Sequence, residues 1–309
     1  MPGIGIVLNP HSKKNRQQPE RMKRIAFIVG EKASCAQTND FNDIERVAKG
    51  FKEREIDILG ISGGDGTNHR TLTAFLKVYG EKPLPKVTFL RGGTLNTIAA
   101  GCGIYGSPEK IIANLIYKYH EDEPFEIKRV RMMKINGHYG FIWGCGVIYR
   151  FMDDYYSDVP VSPAKAAKTL FKSIGSAIVN GPYACKMFER FGAQVRVNGR
   201  EWSYKNYSAL YAASVPYLGL SFKTFYLVDK EADSFHAIGF SLPPRNILPY
   251  VPLMFLGRPS GCPNLLEEPA QKMEMVFEEP IPYTIDGDMH SPVSQITLST
   301  GPQLEVIVR

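Results

Sequence analysis

Ser62-Gly63-Gly64-Asp65-Gly66-Thr67 is the stretch on which the fold turns. It follows the apolar run Ile56-Asp57-Ile58-Leu59-Gly60-Ile61, which predicts a buried strand, and precedes Leu72, Phe75, Leu76 and Tyr79, spaced as one face of a helix. The segment is therefore a strand-to-helix turn. Its three glycines in four positions free the backbone for positive φ and let another group approach to contact, which a Cβ at each site would prevent. Amides opening the next helix lack intrahelical acceptors and carry the positive end of its dipole, so the turn suits a phosphate. Asp65 among those amides would oppose a bare phosphate but suits a metal-bridged or hydroxyl-bearing nucleotide, which makes it a candidate metal ligand. An ordinary βα turn capped by Thr67 or Asp65 is the plain alternative.

A second glycine turn follows the next apolar run, Val87-Thr88-Phe89-Leu90. It reads Arg91-Gly92-Gly93-Thr94-Leu95-Asn96-Thr97. In open α/β sheets ligands bind at the carboxyl ends of strands, so two such turns can line one site. Upstream, residues 3–8 predict strand one, ended by Pro10 in the polar loop Asn9-Pro10-His11-Ser12-Lys13-Lys14-Asn15-Arg16, which could hold phosphates. Arg24–Val29 reads as strand two. A helix is expected from about Asp40 to Glu53, with Phe41, Ile44, Val47, Ala48 and Phe51 on one face, and another after Ser107-Pro108. Alternating strands and helices predict a mostly parallel, doubly wound sheet.

The character changes near Glu123-Pro124. Residues 126–149 predict a hairpin through Asn136-Gly137, and Asn198-Gly199 joins Gln194–Val197 to a strand through Trp202–Ala213. Further short strands are expected near Ser234–Phe240, Lys272–Phe277, Ile296–Ser299 and Leu304–Val308, so this half reads as antiparallel β. One helix interrupts it between Pro163 and Asn180, with Ala167, Leu170, Phe171, Ile174 and Ile178 expected on the sheet and Lys165, Lys168 and Lys172 in solvent. Such a helix can instead lie on an anionic membrane. The Pro-broken apolar stretch Ile247–Leu256 is expected in the core, with exposure near a lipid site as the alternative. Late in the chain, Asp286 and Asp288 flank Gly287. If they leave a strand, period two would turn both carboxylates to one side, where they could hold a metal and take a proton from an attacking hydroxyl. A plain Asp-Gly turn is the alternative.

Bulk composition narrows the classes. With 309 residues, 44% of them hydrophobic, the chain can bury large cores and is long enough for about two domains. Its five cysteines form no C-x-x-C pair, so neither a zinc site nor a disulfide framework is indicated and a reducing cytoplasm fits. Neither a secretory leader nor an apolar run of roughly 18 residues is seen. The 37 Lys+Arg against 31 Asp+Glu leave a net charge of +6, compatible with anionic substrates or an anionic bilayer surface but too dispersed for nucleic acid.

Taken together, Asn9-Pro10, Gly63-Gly64-Asp65-Gly66-Thr67, Gly93-Thr94-x-Asn96 and Asp286-Gly287-Asp288 resemble, in order along the whole chain, the diacylglycerol kinase catalytic-domain family, which includes sphingosine kinases and bacterial lipid kinases. The resemblance implies an N-terminal α/β nucleotide domain, residues 1–124, and a C-terminal antiparallel β-sandwich, residues 125–291, that binds the lipid, with 292–309 returning to the first domain. It implies ATP and Mg²⁺ as cofactors. Asn9, Ser12, Lys13, Gly63, Gly64, Asp65, Gly66, Thr67, Gly93, Thr94 and Asn96 would line the nucleotide. Asp286 would be the general base and Asp288 its acidic neighbour, both also candidate metal ligands. A membrane lipid substrate, peripheral contact with the inner face of the cytoplasmic membrane and no nucleic-acid partner follow from it, and a homodimer is compatible. The chain departs from the family at Lys13 (usually Gly), at His69-Arg70 (usually Asn-Glu), at Thr97 (usually Asp), at Glu126 and at Asp288. Fewer carboxylates mean fewer oxygen ligands for Mg²⁺. An NAD-kinase-like enzyme, which shares the Gly-Gly-Asp-Gly-Thr loop, and a nucleotide- or lipid-binding module without catalysis remain open.

Overall fold

The structure, a computed structural model, describes residues 3–12, 15–16, 19–30, 33–38, 40–157, 162–228, 230–231 and 233–308. The chain forms two compact units, one of residues up to Val130 together with Gln303 onward and one of Arg131–Pro302. The first is α/β with a parallel sheet and the second is an antiparallel β-sandwich.

The first unit contains β1 (Ile4–Leu8), α1 (Pro19–Val29), β2 (Ala33–Gln37), α2 (Phe41–Glu53), β3 (Ile58–Ser62), α3 (Asp65–Tyr79), β4 (Lys86–Phe89), α4 (Thr97–Cys102) and α5 (Pro108–His120). Strands β1 to β4 pair in parallel throughout. β1 lies between β2 and β3, with Ile4 opposite both Ala33 and Ile58, and β4 adds beside β3. The end of the chain adds beside β4, pairing Val306 with Val87. Strands β1 and β3 are buried along their whole length, as a sheet covered on both faces requires. One apolar core unites Ile4, Ile6 and Leu8 with Ile25, Val29, Ile112 and Leu115 from α1 and α5. Asp40 caps α2 and Ser107 caps α5, each accepting an amide three residues on.

The expected strand at Arg24–Val29 is the second half of α1. Ile-Ala-Phe-Ile-Val looks like a continuous buried strand, but its burial has helical period: Ile25 and Val29 are buried four residues apart while Phe27 is 88% exposed. The second strand is the more polar Ala33–Gln37, an edge strand beside β1.

The second unit begins within β5 (Ile127–Ile135), which turns through Asn136-Gly137 into β6 (His138–Gly140). The hairpin ends sooner than its sequence predicts. β7 (Ile142–Gly146) pairs instead with later strands, and Val147 and Ile148 open α6 (Val147–Ser157). Then come α7 (Pro163–Ile178), α8 (Pro182–Met187), β8 (Phe191–Val197), β9 (Arg200–Glu201), β10 (Asn206–Tyr207) and β11 (Ala209–Ala213). The strand expected from Trp202 to Ala213 is thus divided. β12 (Phe235–Phe240), α9 (Pro244–Ile247), a 3-10 turn (Leu248–Tyr250), α10 (Val251–Leu256), β13 (Leu265–Ala270), β14 (Lys272–Ile285) and β15 (Asp288–Ile307) complete the chain.

β14 joins the two layers of the sandwich. Its first part pairs with β8 and its last part with β7, with register shifts between Val276 and Tyr283 where the strand bends from one layer to the other. Trp143, Tyr207, Met273, Leu298 and Phe235 meet in the core between them. The two short strands expected near the end are one long strand, β15, whose final residues belong to the first unit.

Helix α7 departs from its sequence expectation in part: Lys168 and Lys172 are exposed and Leu170 and Ile174 half-buried, but Phe171 and Ile178 do not meet the protein. Ala166, Thr169 and Ala177 are buried, whereas Phe171 is 71% and Ile178 58% exposed. The stretch expected in the core at Ile247–Leu256 buries Ile247 alone, with no buried residue in the 3-10 turn or in α10.

Candidate functional site

Three loops leave the carboxyl ends of the adjacent strands β1, β3 and β4 and meet in the first unit. Asn9 Nδ2 donates to Thr67 Oγ1 at 2.8 Å, and the Asn9 amide donates to the Ser62 carbonyl at 3.0 Å. The Asn9 carbonyl in turn accepts Ser12 Oγ at 3.0 Å and Asn15 Nδ2 at 2.8 Å. Loop one is thereby tied to the glycine turn after β3. The second glycine turn touches the first backbone to backbone: a Cβ on Gly93 would stand 2.3 Å from Gly64 Cα, and one on Gly92 would stand 3.0 Å from the Gly63 nitrogen. None of Gly63, Gly64, Gly66, Gly92 and Gly93 has positive φ. Close approach, not left-handed backbone, is what these glycines provide.

Gly64 is the N-cap of α3 and has no side chain to accept from the first-turn amides, so the positive end of that helix opens at the turn. Asp65 stands there, but its carboxylate reaches across to the other loop: Oδ2 accepts the Thr97 amide at 2.9 Å and Oδ1 the Ile98 amide at 3.1 Å. It caps α4 from outside. Burial pushes this carboxyl up from the ordinary aspartate range, against the pull of those amides and of Arg91. Asn96, with φ 52°, closes its own turn, accepting the Gly93 amide at 2.9 Å and donating to the Gly93 carbonyl at 3.1 Å. Thr94 is half-buried between them. Lys13 lies outside the described residues.

Asn15 escaped the sequence reasoning as a site residue. It is 1% exposed, it ties Asn9 to the Ser62 side, and its Oδ1 has no hydrogen-bond partner among the described residues. The same holds for Asn68 Oδ1, in the first turn of α3. Buried polar atoms without partners are uncommon, and these two are acceptors at the convergence of the loops. Of the two unusual residues after the glycine turn, His69 is buried and Arg70 exposed.

In the second unit, Asp286 and Gly287 are the two central residues of the β14–β15 turn, with φ of 50° and 84°, and Ile285 pairs with Asp288 across it. The period-two argument for two carboxylates on one side therefore fails, because Asp286 is a turn residue and not a strand residue. Asp286 is 4% exposed and Asp288 half-buried. Asp286 Oδ1 accepts the Ile142 amide at 2.7 Å and the Phe141 amide at 3.0 Å, and Oδ2 accepts Phe141 at 3.2 Å. The carboxylate clasps the turn to the gap between β6 and β7. Tyr156 Oη donates to the Gly287 carbonyl at 3.1 Å, and a Cβ on Gly287 would meet Met152 and that hydroxyl at 3.4 Å.

A nucleotide polyphosphate fits the first site: the capless N-terminus of α3 offers amides, the glycines give close access, and Asn15 and Asn68 offer acceptors for hydroxyl or amino groups. Among the described residues, no three His, Cys, Asp or Glu gather as a metal cage. Mg²⁺ commonly needs only one or two carboxylates beside phosphate oxygens and water, so the lack of a cage does not exclude it.

The diacylglycerol kinase catalytic domain model matches residues 4–127, which hold all three loops. Residues 4–127 are thus similar to the diacylglycerol kinase catalytic domain. No curated protein matches the chain. Among solved structures, a diacylglycerol kinase from Bacillus anthracis str. Sterne superposes with a TM-score of 0.68 at 14% identity, covering 99% of this chain and 97% of that one. A second structure from the same organism, described as a candidate diacylglycerol kinase, gives 0.74 at 15% identity with the same coverage. At such identity the likeness concerns the fold, and it extends over both units of this chain. The diacylglycerol kinase catalytic-domain match thus places the glycine turns, Asn9 and Asp65 within the domain that defines a lipid kinase family.

Proposed function

We propose that the chain is a kinase that uses ATP and Mg²⁺ to phosphorylate a hydroxyl of diacylglycerol or a related lipid. The observation that carries this reading is the convergence of three strand-end loops on a capless helix N-terminus, inside a segment that matches the diacylglycerol kinase catalytic domain. When bound, ATP supplies the phosphoryl group and Mg²⁺ offsets its charge. The protein has little covalent work left to do. Amides of α3 hold phosphate oxygens, the Gly64–Gly93 contact fixes the distance between the two turns, and Asn9 orients the Thr67 hydroxyl. Asp286, whose carboxylate the Phe141 and Ile142 amides hold in place, takes the acceptor hydroxyl's proton. Asp288 adds negative charge for metal. Because the acceptor lives in a bilayer, the enzyme works at a membrane surface, facing the cytoplasm; no helix among the described residues is long and apolar enough to cross it.

The test is transfer of label from γ-labelled ATP to a panel of diacylglycerols and sphingoid bases. Label in lipid that depends on Mg²⁺ and disappears in Asp286→Asn supports the reading; the absence of labelled lipid across the panel refutes it. Label in NAD instead assigns the NAD-kinase-like alternative. A binding module without catalysis is favoured by one observation, that amides engage the carboxylates of both Asp65 and Asp286. ATP binding by calorimetry with no transfer to any acceptor identifies it.

A further inference from the structure

Helix α7 buries small residues against the protein and leaves two of its large apolar residues, Phe171 and Ile178, in solvent, while Leu170 and Ile174 are half-buried. Ala166, Thr169 and Ala177 face inward, while Phe171 is 71%, Ile178 58% and the following Val179 75% exposed. Lys168, Phe171, Lys172, Gly175 and Ile178 recur at the spacing of one helical face, so the outward face mixes large apolar groups with lysines. A helix serving only the chain's own core would turn Phe171 and Ile178 the other way.

A second apolar element adjoins it. The 3-10 turn Leu248–Tyr250 and α9 both pack on α7, and the 3-10 turn runs into α10, where Phe255 is 44% and Leu256 56% exposed. Five of the eleven exposed large hydrophobic residues among those described lie in these two short segments, whereas the others are scattered singly.

Cations predominate around this surface, although Asp154 of α6 lies beside Lys172. No acidic residue occurs from Ser162 to Phe188, while Lys165, Lys168, Lys172 and Lys186 do; no charged residue occurs from Asn246 to Gly257, and Arg245 and Arg258 flank that run. Lys172 is held over the Tyr183 ring and lies 3.8 Å from Asp154, but exposed Lys168 and Lys186 have no ion pair among the described residues.

We infer that the outward face of α7 with the 3-10 turn and α10 is a docking surface for an anionic phospholipid bilayer. Phe171, Ile178, Phe255 and Leu256 enter the interface, and Lys168 and Lys186 lie at the phosphate level. Two polar-rimmed apolar segments joined by contact give the surface its breadth; the cations give it a preference for anionic lipid. A second copy of the chain would gain nothing from two like-charged rims. The inference deepens the lipid-kinase reading and rests on it for its purpose, but binding to a bilayer requires no phosphoryl transfer, so the two can fail separately.

The experiment is co-sedimentation of the full chain with vesicles of phosphatidylcholine alone and of equal parts phosphatidylcholine and phosphatidylglycerol. Expected is a clear preference for the anionic vesicles. Phe171→Ser with Ile178→Ser lowers partitioning by roughly tenfold or more, as loss of inserted apolar area requires. Lys168→Gln and Lys186→Gln each lower it about fivefold at low salt and much less at high salt. Phe27→Ser, at a still more exposed aromatic in the first unit, leaves it unchanged. All these side chains are exposed, and unchanged melting curves confirm folding. Equal partitioning of wild type and Phe171→Ser/Ile178→Ser, or no vesicle binding by the wild type, overturns the inference. So does a wild-type dimer that this double variant splits, since a second copy would then cover the face. Transfer to short-chain lipid in detergent micelles separates the readings: vesicle binding without such transfer refutes the kinase and keeps the docking surface, and the converse does the reverse.

Discussion

Alanine in place of Gly93 should disable the site, while alanine in place of its contact partner Gly64 should not. A Cβ on Gly93 stands 2.3 Å from Gly64 Cα and 3.2 Å from the Gly64 nitrogen, where ordinary contact begins at 3.4 Å. The colliding atoms are backbone, so no rotamer change relieves the clash and the two turns must separate by about 1 Å. In the other direction, a Cβ on Gly64 meets Gly93 Cα at 3.4 Å, an ordinary contact, and the φ of −88° at Gly64 suits any residue. Overpacking of this kind costs about 1–3 kcal/mol, and a displacement of about 1 Å between groups that hold a reacting phosphate costs on the order of a hundredfold in rate. Gly93→Ala should therefore lose about 1–3 kcal/mol in urea unfolding and most of its nucleotide affinity. Gly64→Ala should stay within about 0.5 kcal/mol of wild type. Gly92→Ala, at 3.0 Å from the Gly63 nitrogen, should fall between them. Equal stability of Gly93→Ala and wild type, or equal damage from Gly64→Ala and Gly93→Ala, would refute the close approach of the two turns as drawn here.

Asp65→Ala leaves the amides of Thr97 and Ile98 without their acceptor, so it should cost about 1–3 kcal/mol by chemical denaturation and loosen the second glycine turn, seen as faster amide exchange at Thr97 and Ile98. Asn9→Ala removes the 2.8 Å bond to Thr67 and should cost about 1 kcal/mol in stability, with nucleotide affinity measured by calorimetry falling alongside. In the second unit, Asn198 accepts the Gln271 amide at 2.8 Å and the Lys272 amide at 3.3 Å and donates to the Pro269 carbonyl at 3.1 Å from a φ of 49°, so Asn198→Ala should lose these bonds and its αL tolerance, about 1–2 kcal/mol by thermal denaturation, without changing nucleotide affinity. Asp286→Ala should be less stable than Asp286→Asn, because alanine orphans the buried amides of Phe141 and Ile142 whereas asparagine keeps one acceptor oxygen.

What the sequence made legible follows from local physics. Gly63–Thr67 announced a strand-to-helix turn because glycines and the flanking periodicities are local signals, and Asn136-Gly137 and Asn198-Gly199 announced hairpins because both central residues take positive φ. The misreading of Ile25–Val29 came from a five-residue apolar run in which strand and helix look alike until burial shows Phe27 in solvent. The amphipathic pattern of α7 was visible, but which side meets the protein depends on the partner surface, and here that surface takes alanine and threonine. The layer change in β14 depends on two register shifts, at which Pro280 and Pro282, unable to donate to a ladder, stand in the sequence. At the site, glycines and Asn9 could be picked out locally. The reach of Asp65 to Thr97, of Asn15 to Asn9 and Ser62, and of Asp286 to Phe141 and Ile142 could not, because each joins segments brought together only by the sheet. An asparagine at Asn15 carries no more local signal than any polar loop residue; its burial is what singles it out.

The central claim is that this chain moves phosphate from ATP to a lipid hydroxyl with Asp286 accepting the proton. The measurement that bears on it most directly is the initial rate of label transfer from γ-labelled ATP to micellar diacylglycerol, for wild type and Asp286→Asn side by side with matched urea unfolding curves. The account predicts Mg²⁺-dependent transfer by wild type and a loss of at least roughly a hundredfold in Asp286→Asn, with ATP affinity retained and the fold intact. Transfer by Asp286→Asn at the wild-type rate, or none by a folded, ATP-binding wild type with any lipid, would contradict it.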